Sequence, residues 1–290
     1  MSGQATEHPT SLSSPVEFLP DVETWVMRSN DEREHQIWVA LPDGYQTEGA
    51  PYPVLIATDA NSKFGTVVET ARILAATHQI PKIIVVGLGY PMPGQAMKAL
   101  HADRTYDLTP TASDAALRNA NEAVAPAGSG VPLATKSGGG PAYLEFIRAK
   151  LLPTLYEDFH VKPDDNALYG HSLGGLFASS ALFHLPHMFQ RFVISSPSLW
   201  WDSRALFSIE QTYAAATDRL GARVFLSVGS EEEEPTCNMV QNLWAFATAL
   251  GNRRYEGLES ETCVFEGENH VSVIPAAISR GLRYIYARAS

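Results

Sequence analysis

Short apolar runs alternate with amphipathic stretches along this chain, and their order predicts the architecture. Val22, Thr24 and Val26 alternate with polar neighbours, as do Ile37 and Val39 beyond the polar turn Ser29-Asn30-Asp31-Glu32. That period of two predicts a hairpin of half-buried antiparallel strands. Leu41-Pro42-Asp43-Gly44-Tyr45 closes it with turn residues. Residues 53–58 and 82–88 are continuous apolar runs, and residues 67–77 between them have helical spacing. Strand, helix, strand in this form predicts βαβ units and a parallel sheet covered on both faces. Further strands are expected over 166–169, 192–195, 224–228 and 262–265. Helices are expected over 141–159, 173–183, 203–219, 238–250 and 273–287, the first marked by a Leu144, Ile147, Leu151, Leu155 stripe.

Residues 90–140 break this rhythm. Prolines and small residues are scattered there, a Ser137-Gly138-Gly139-Gly140 run follows, and only 114–125 has a helical pattern. Loops of this length are usually lids, binding segments or disorder. The expectation is a partly mobile insertion over the active-site face; the alternative is a surface excursion with no role.

Length and composition narrow the class. At 290 residues the chain could hold two domains, but large α/β folds commonly run this long as one. A single domain over 21–290 is expected after a Ser-, Thr- and Pro-rich flexible leader at 1–20. With 45% hydrophobic and 18% charged residues, the chain can bury a sizeable core. The net charge of -11 argues against nucleic acid or an anionic membrane, both polyanions. Cys237 and Cys263 are too few for a disulfide framework or a cysteine-based zinc site. No basic flank precedes an apolar core near the start, and no apolar run approaches the ~20 residues of a membrane helix. These features lead to an expected cytoplasmic location with both thiols reduced.

The chemistry concentrates at Gly170-His171-Ser172-Leu173-Gly174, a G-x-S-x-G pattern between the strand ending at Tyr169 and the helix from Leu173. Such a nucleophile elbow exposes its serine at the top of the sheet. Gly170 and Gly174 lack a Cβ that a strand turning straight into a helix would crowd. The Leu173 amide, at a helix start, lies where an oxyanion could form. The bland reading is a glycine-lined turn with an ordinary serine.

An alkyl hydroxyl needs a base, and the base needs an orienting acid. In the α/β-hydrolase order the acid and then the histidine follow the serine, each on a loop after a late strand. The strand at 224–228 runs into Gly229-Ser230-Glu231-Glu232-Glu233-Glu234, and the strand at 262–265 runs into Glu266-Gly267-Glu268-Asn269-His270. Of nine histidines, His270 alone sits at the edge of the last strand; His171 is expected to point elsewhere on the elbow. Four adjacent glutamates are by default a solvated run, of which one could turn inward. No H-E-x-x-H spacing supports a metal site, and Gly87-Leu88-Gly89 lacks the third glycine of a dinucleotide fingerprint. Neither a metal nor a cofactor is expected.

In these segments the chain resembles the "Putative esterase" family of the α/β-hydrolase superfamily. That family includes siderophore trilactone esterases, S-formylglutathione hydrolases, feruloyl and acetyl-xylan esterases and mycolyltransferases. The matching segments run in order from Val22 to Tyr286. They include Pro53 to Asn61, Arg104-Thr105-Tyr106-Asp107-Leu108-Thr109-Pro110, Gly138 to Tyr143, the elbow, Ser195-Ser196-Pro197-Ser198-Leu199-Trp200-Trp201 and Gly267 to His270. The combination is specific to the siderophore-esterase-like branch. The resemblance implies an α/β-hydrolase fold, with a mostly parallel sheet, an antiparallel N-terminal hairpin and helices on both faces. It implies Ser172 as nucleophile, His270 as base and Glu232 as acid, with Glu231 next; should none of the four loop glutamates serve, Glu268, two residues before the histidine, is the next position to test. Asp59-Ala60-Asn61 resembles the loop giving the second oxyanion amide, assigned to Ala60, where members often carry Gly. Arg104 and Asp107 resemble an R-x-x-D segment, read as substrate contact for Arg104 or as a salt-bridged loop anchor. Trp200 and Trp201 could line an acyl pocket or simply pack.

The expectation is therefore a serine ester hydrolase acting through an acyl-enzyme on a small-molecule ester, with a lactone or siderophore-like polyester the first substrate. An acyltransferase using the same residues and a catalytically silent binding protein are the alternatives. A homodimer is compatible with this reading; the sequence assigns neither oligomeric state nor substrate.

Overall fold

Buried strands with apolar residues on both faces account for most of the structure. A computed structural model describes residues 19–91, 97–124 and 134–287. The strands are β1 (Val22–Arg28), β2 (Glu34–Ala40), β3 (Tyr52–Ala57), β4 (Ile84–Gly89), β5 (Val161–His171), β6 (Arg191–Ser195), β7 (Arg219–Gly229) and β8 (Glu256–Phe265). Among the described residues they form one sheet in the order β1-β2-β4-β3-β5-β6-β7-β8. β1 pairs antiparallel with β2 and β2 antiparallel with β4; every other pairing is parallel.

Alternate residues of the central strands enter two separate cores. Leu55, Ala57, Val85, Ala167, Tyr169, Val193 and Phe225 face helices α1 (Ala60–Ala76) and α9 (Val273–Ile285). Their neighbours Val54, Ile56, Val86, Leu168, Ile194 and Leu226 face the helices of the other layer. These are α4 (Gly140–Phe146), α5 (Leu152–Asp158), α6 (Leu173–His184), α7 (Trp201–Ala216) and α8 (Met239–Arg253). With helices on both faces, the sheet matches the expected α/β-hydrolase architecture.

Several boundaries differ from the sequence expectation, each for a local reason. α1 begins at Ala60 rather than residue 67, with Asp59 at a left-handed φ of 57° turning the chain into it. The helix expected over 141–159 contains a π turn at Ile147–Leu151, where the Leu152 amide reaches back to the Ile147 carbonyl. Pro153 follows; it lacks an N–H and crowds the preceding turn, so the wider turn accommodates it. The helix expected to run to Arg219 stops at Ala216, and Arg219 opens β7. In β1 the expected inward residue Val26 is exposed, while Trp25 and Met27 pack on the core. Edge strands present both faces to mixed surroundings, so alternation there does not fix the buried side.

The insertion at 90–140 carries two helices, α2 (Met97–Asp107) and α3 (Asp114–Val124). α3 was expected; α2 was not. Residues 92–96 and 125–133 of the insertion lie outside the described residues, as does nearly all of the expected leader at 1–20. Among the described residues, no helix is long and apolar enough to cross a membrane.

Candidate active site

β5 ends at His171 and α6 starts at Leu173, so Ser172 alone turns strand into helix. Its φ of 62° and ψ of -121° are those of a strained elbow. The turn is possible because Gly170 and Gly174, two residues to either side, carry no Cβ. A Cβ on Gly170 would lie 2.0 Å from the Gly174 carbonyl oxygen, and one on Gly174 would lie 2.3 Å from Thr58 Oγ1. Ser172 is partly exposed, and Leu173 takes the first helical position, where an amide has no intrahelical acceptor.

The loops after β7 and β8 meet beside it. The Glu231 amide donates to the Glu268 carbonyl at 3.0 Å, and the Gly267 amide donates to Ser230 Oγ at 2.9 Å. A Cβ on Gly229 would lie 2.1 Å from the Glu268 carbonyl oxygen, so glycine is required for this approach. Asn269 Oδ1 accepts the Val271 and Ser272 amides at 2.9 and 3.0 Å, which fixes the turn carrying His270. Of the four glutamates, Glu232 turns inward. It is 5% exposed, its Oε2 lies 2.5 Å from His270 Nδ1, and its Oε1 accepts Ser196 Oγ–H and the Gly229 amide, each at 2.7 Å. A buried carboxylate held by three donors presents a fixed acceptor to the imidazole. Glu233 instead accepts the Val240 and Gln241 amides at the start of α8, while Glu231 and Glu234 remain exposed at the cavity.

Ser172, Leu173, Trp200, Glu232, His270 and Arg104 all line one open cavity of about 380 Å³. Ser172 and His270 line the same cavity without a direct hydrogen bond between them. Ala60 does not line this cavity. Its loop reaches the elbow through Thr58, and its methyl group faces Gly87. Arg104, on the last turn of α2, donates through Nε and Nη2 to Asp59 at 2.7 and 2.9 Å. Burial would raise the Asp59 carboxyl, but Arg104 and Lys63 outweigh it and hold it well below its ordinary value. Asp107 lies elsewhere, buried against Arg33 and Tyr90. Trp200 stands at the cavity wall, whereas Trp201 is buried and donates Nε1–H to the Thr111 carbonyl.

A model of the family described as "Putative esterase" matches residues 29–285. The chain belongs to this esterase family. It is 30% identical over 291 residues to the ferri-bacillibactin esterase BesA of Bacillus subtilis, covering 98% of this chain and 96% of that one. It is 29% identical to the siderophore triacetylfusarinine C esterase of Aspergillus fumigatus, over 92% and 94% of the two chains. The crystal structure of BES protein from Bacillus cereus superposes with a TM-score of 0.76 at 31% identity, covering 97% of this chain and 99% of that one. This membership makes the chain an ester hydrolase, and its fold is that of the α/β-hydrolases.

Two residues of the esterase's site were missed in the sequence. The His171 ring, expected to point away from the site, packs 4.6 Å from that of His270, with Nδ1 3.0 Å from Ser195 Oγ. Burial, then the neighbouring His270, push its pKa well below the ordinary value, so it stands neutral. The second is Ser196, on Glu232. The S-S-P-S run was the only signal for it.

Proposed function

We propose that this esterase hydrolyses the ester bonds of a siderophore or similar polyester through an acyl-enzyme on Ser172. Ser172 Oγ attacks the ester carbonyl as His270 Nε2 takes its proton. His270 then returns the proton to the leaving alcohol, and water repeats the sequence to free the acid. Glu232 holds the His270 Nδ1–H, fixing the tautomer and stabilising the imidazolium as it forms. The Leu173 amide, first in its helix and lining the cavity, donates to the oxyanion. Arg104, which lines the cavity, offers a cationic donor to an acceptor on the substrate, and Trp200 packs against its acyl portion.

The observation that carries this reading is the 2.5 Å Glu232–His270 contact beside a strained serine in the same cavity. The siderophore assignment rests on the activities named for the relatives. We also place the enzyme in the cytoplasm, on the strength of two cysteines that are both free. Cell fractionation with a tagged chain tests that placement.

The test of function is a panel of aryl esters, thioesters, acylated sugars, simple lactones and iron-loaded siderophore lactones, run on wild type and Ser172→Ala. The expected result is fastest turnover on a siderophore ester, absent in the variant. A thioester or acyl-sugar preference of 100-fold or more over every siderophore ester would overturn the substrate assignment.

A further inference from the structure

The turn at 195–198, between β6 and α7, touches the supports of Ser172, His270 and Glu232. The Ser172 amide donates to the Ser195 carbonyl at 3.0 Å, and the Ser198 amide donates to the Ser172 carbonyl at 3.1 Å. Ser195 Oγ bonds His171, which packs on His270. The Ser196 amide donates to the Ser227 carbonyl of β7 at 2.7 Å, and Ser196 Oγ–H donates to Glu232 Oε1 at 2.7 Å. Nucleophile, base and acid come from three different loops, and this short turn braces all three.

Ser196 itself is fully buried and holds a φ of 41°. A left-handed backbone is costly for a residue with a Cβ and free for glycine. A serine at such a φ points to a use for its hydroxyl, and among the described residues the partner of that hydroxyl is Glu232. Oε1 of Glu232 is pinned from two sides, by Ser196 on the β6 turn and by the Gly229 amide at the end of β7. Rotation of the carboxylate is thereby blocked, and Oε2 is left for His270.

Resting on the esterase reading, we propose that Ser196 is a positioning residue: its hydroxyl locks the Glu232 carboxylate in register with His270 and sets the pH range over which His270 is an effective base. Without it, a buried carboxylate loses one of its donors, and the Glu232–His270 pair binds a proton more tightly. The acid limb of the kcat/KM profile should therefore move to higher pH. The other titratable groups around the pair are His171 on β5, His101 and Arg104 on α2, Glu231, Glu234 and Cys237 after β7, and Glu268 after β8. None of them bonds the Ser196 side chain, so the substitution leaves their contacts unchanged.

Ser196→Gly is the informative variant, because it removes the hydroxyl while relieving the backbone; Ser196→Ala removes the hydroxyl and keeps the strain. With a p-nitrophenyl ester as probe, both should lose about 10-fold in kcat, the order expected for one hydrogen bond to a charged group, with KM within about 2-fold. The acid limb should shift upward in both, and Ser196→Gly should melt no lower than Ser196→Ala. In a Glu232→Gln background the same Ser196→Gly change should cost less than about 3-fold, since the hydroxyl acts through that carboxylate. Wild-type kcat in Ser196→Gly, an unmoved acid limb, or an equal loss in both backgrounds would overturn the proposal. A wild-type enzyme that the probe does not acylate at Ser172 would overturn the esterase mechanism as well, which separates the two failures.

Discussion

Glu232 and Asp107 are both buried carboxylates in elements packed around the same cavity, and their surroundings differ sharply. Glu232 accepts two hydrogen bonds on Oε1 and meets the His270 imidazole through Oε2. Asp107, fully buried at the end of α2, accepts the Tyr90 hydroxyl at 3.0 Å. Its other oxygen lies 2.5 Å from Arg33 Nη1. Beside it is His35, also fully buried, with neither ring nitrogen hydrogen-bonded. Burial pushes the Asp107 pKa up to about 7, with Arg33 offsetting only part of the desolvation. Burial alone therefore does not align a carboxylate on an imidazole. Converging donors and an aligned imidazole distinguish Glu232, while Asp107 ties α2 to the β2 hairpin and the end of β4. The R-x-x-D segment divides accordingly, with Arg104 reaching the cavity and Asp107 the anchor.

Loss of the machinery served by Glu232 should give the largest effects. Ser172→Ala is expected to lose roughly 10⁶-fold in kcat, His270→Ala a similar factor, and the double variant little more, because the pair acts as a unit. Steady-state kinetics on an aryl ester checks this, with circular dichroism showing intact folds.

The two carboxylates should then separate by kcat. Glu232→Gln is expected to lose about 10³–10⁴-fold, since an amide can hold the wrong histidine tautomer. Asp107→Asn should stay within about 10-fold. Glu231→Gln and Glu234→Gln should be nearly silent, being exposed. Glu233→Gln should lower Tm slightly through its contacts with the start of α8. A collapse of kcat in Asp107→Asn equal to that in Glu232→Gln would erase the distinction.

Asp107 should show itself in the pH dependence of stability. A carboxyl whose folded-state pKa lies above its unfolded value stabilises the fold as the neutral acid. That contribution is full below the ordinary value of 3.8 and is lost as pH rises through about 7. Across that window, thermal melts should show wild type losing more Tm with rising pH than Asp107→Asn does. Parallel melting curves would contradict the buried-acid assignment.

Much of this was legible in the sequence. The parallel strands are continuous apolar runs because both of their faces are buried, as Val54 to Ala57 and Ile84 to Leu88 show. The elbow was legible because its glycines answer a steric demand that few other sequences meet. The edges were less so. β8 carries Glu256, Glu259 and Glu261, which pair with Arg219, Arg223 and Arg280, and such a charged edge strand reads as a loop over most of its length. α2 shows no apolar stripe in Met97 to Asp107, since its polar residues are spent on Asp59, Asn121 and Arg33. His171 was misplaced because sequence does not say where the residue before the nucleophile points. Ser196 stayed hidden because a single buried hydroxyl leaves no periodic signature.

The central claim is that His270, oriented by Glu232, activates Ser172 for covalent catalysis. Fluorophosphonate labelling followed by peptide mass spectrometry tests it most directly, on wild type, Glu232→Gln and Ser172→Ala. The account predicts a single adduct on the Ser172 peptide, formed far more slowly in Glu232→Gln and absent in Ser172→Ala. An adduct on another residue, or labelling of Glu232→Gln at the wild-type rate, would contradict it.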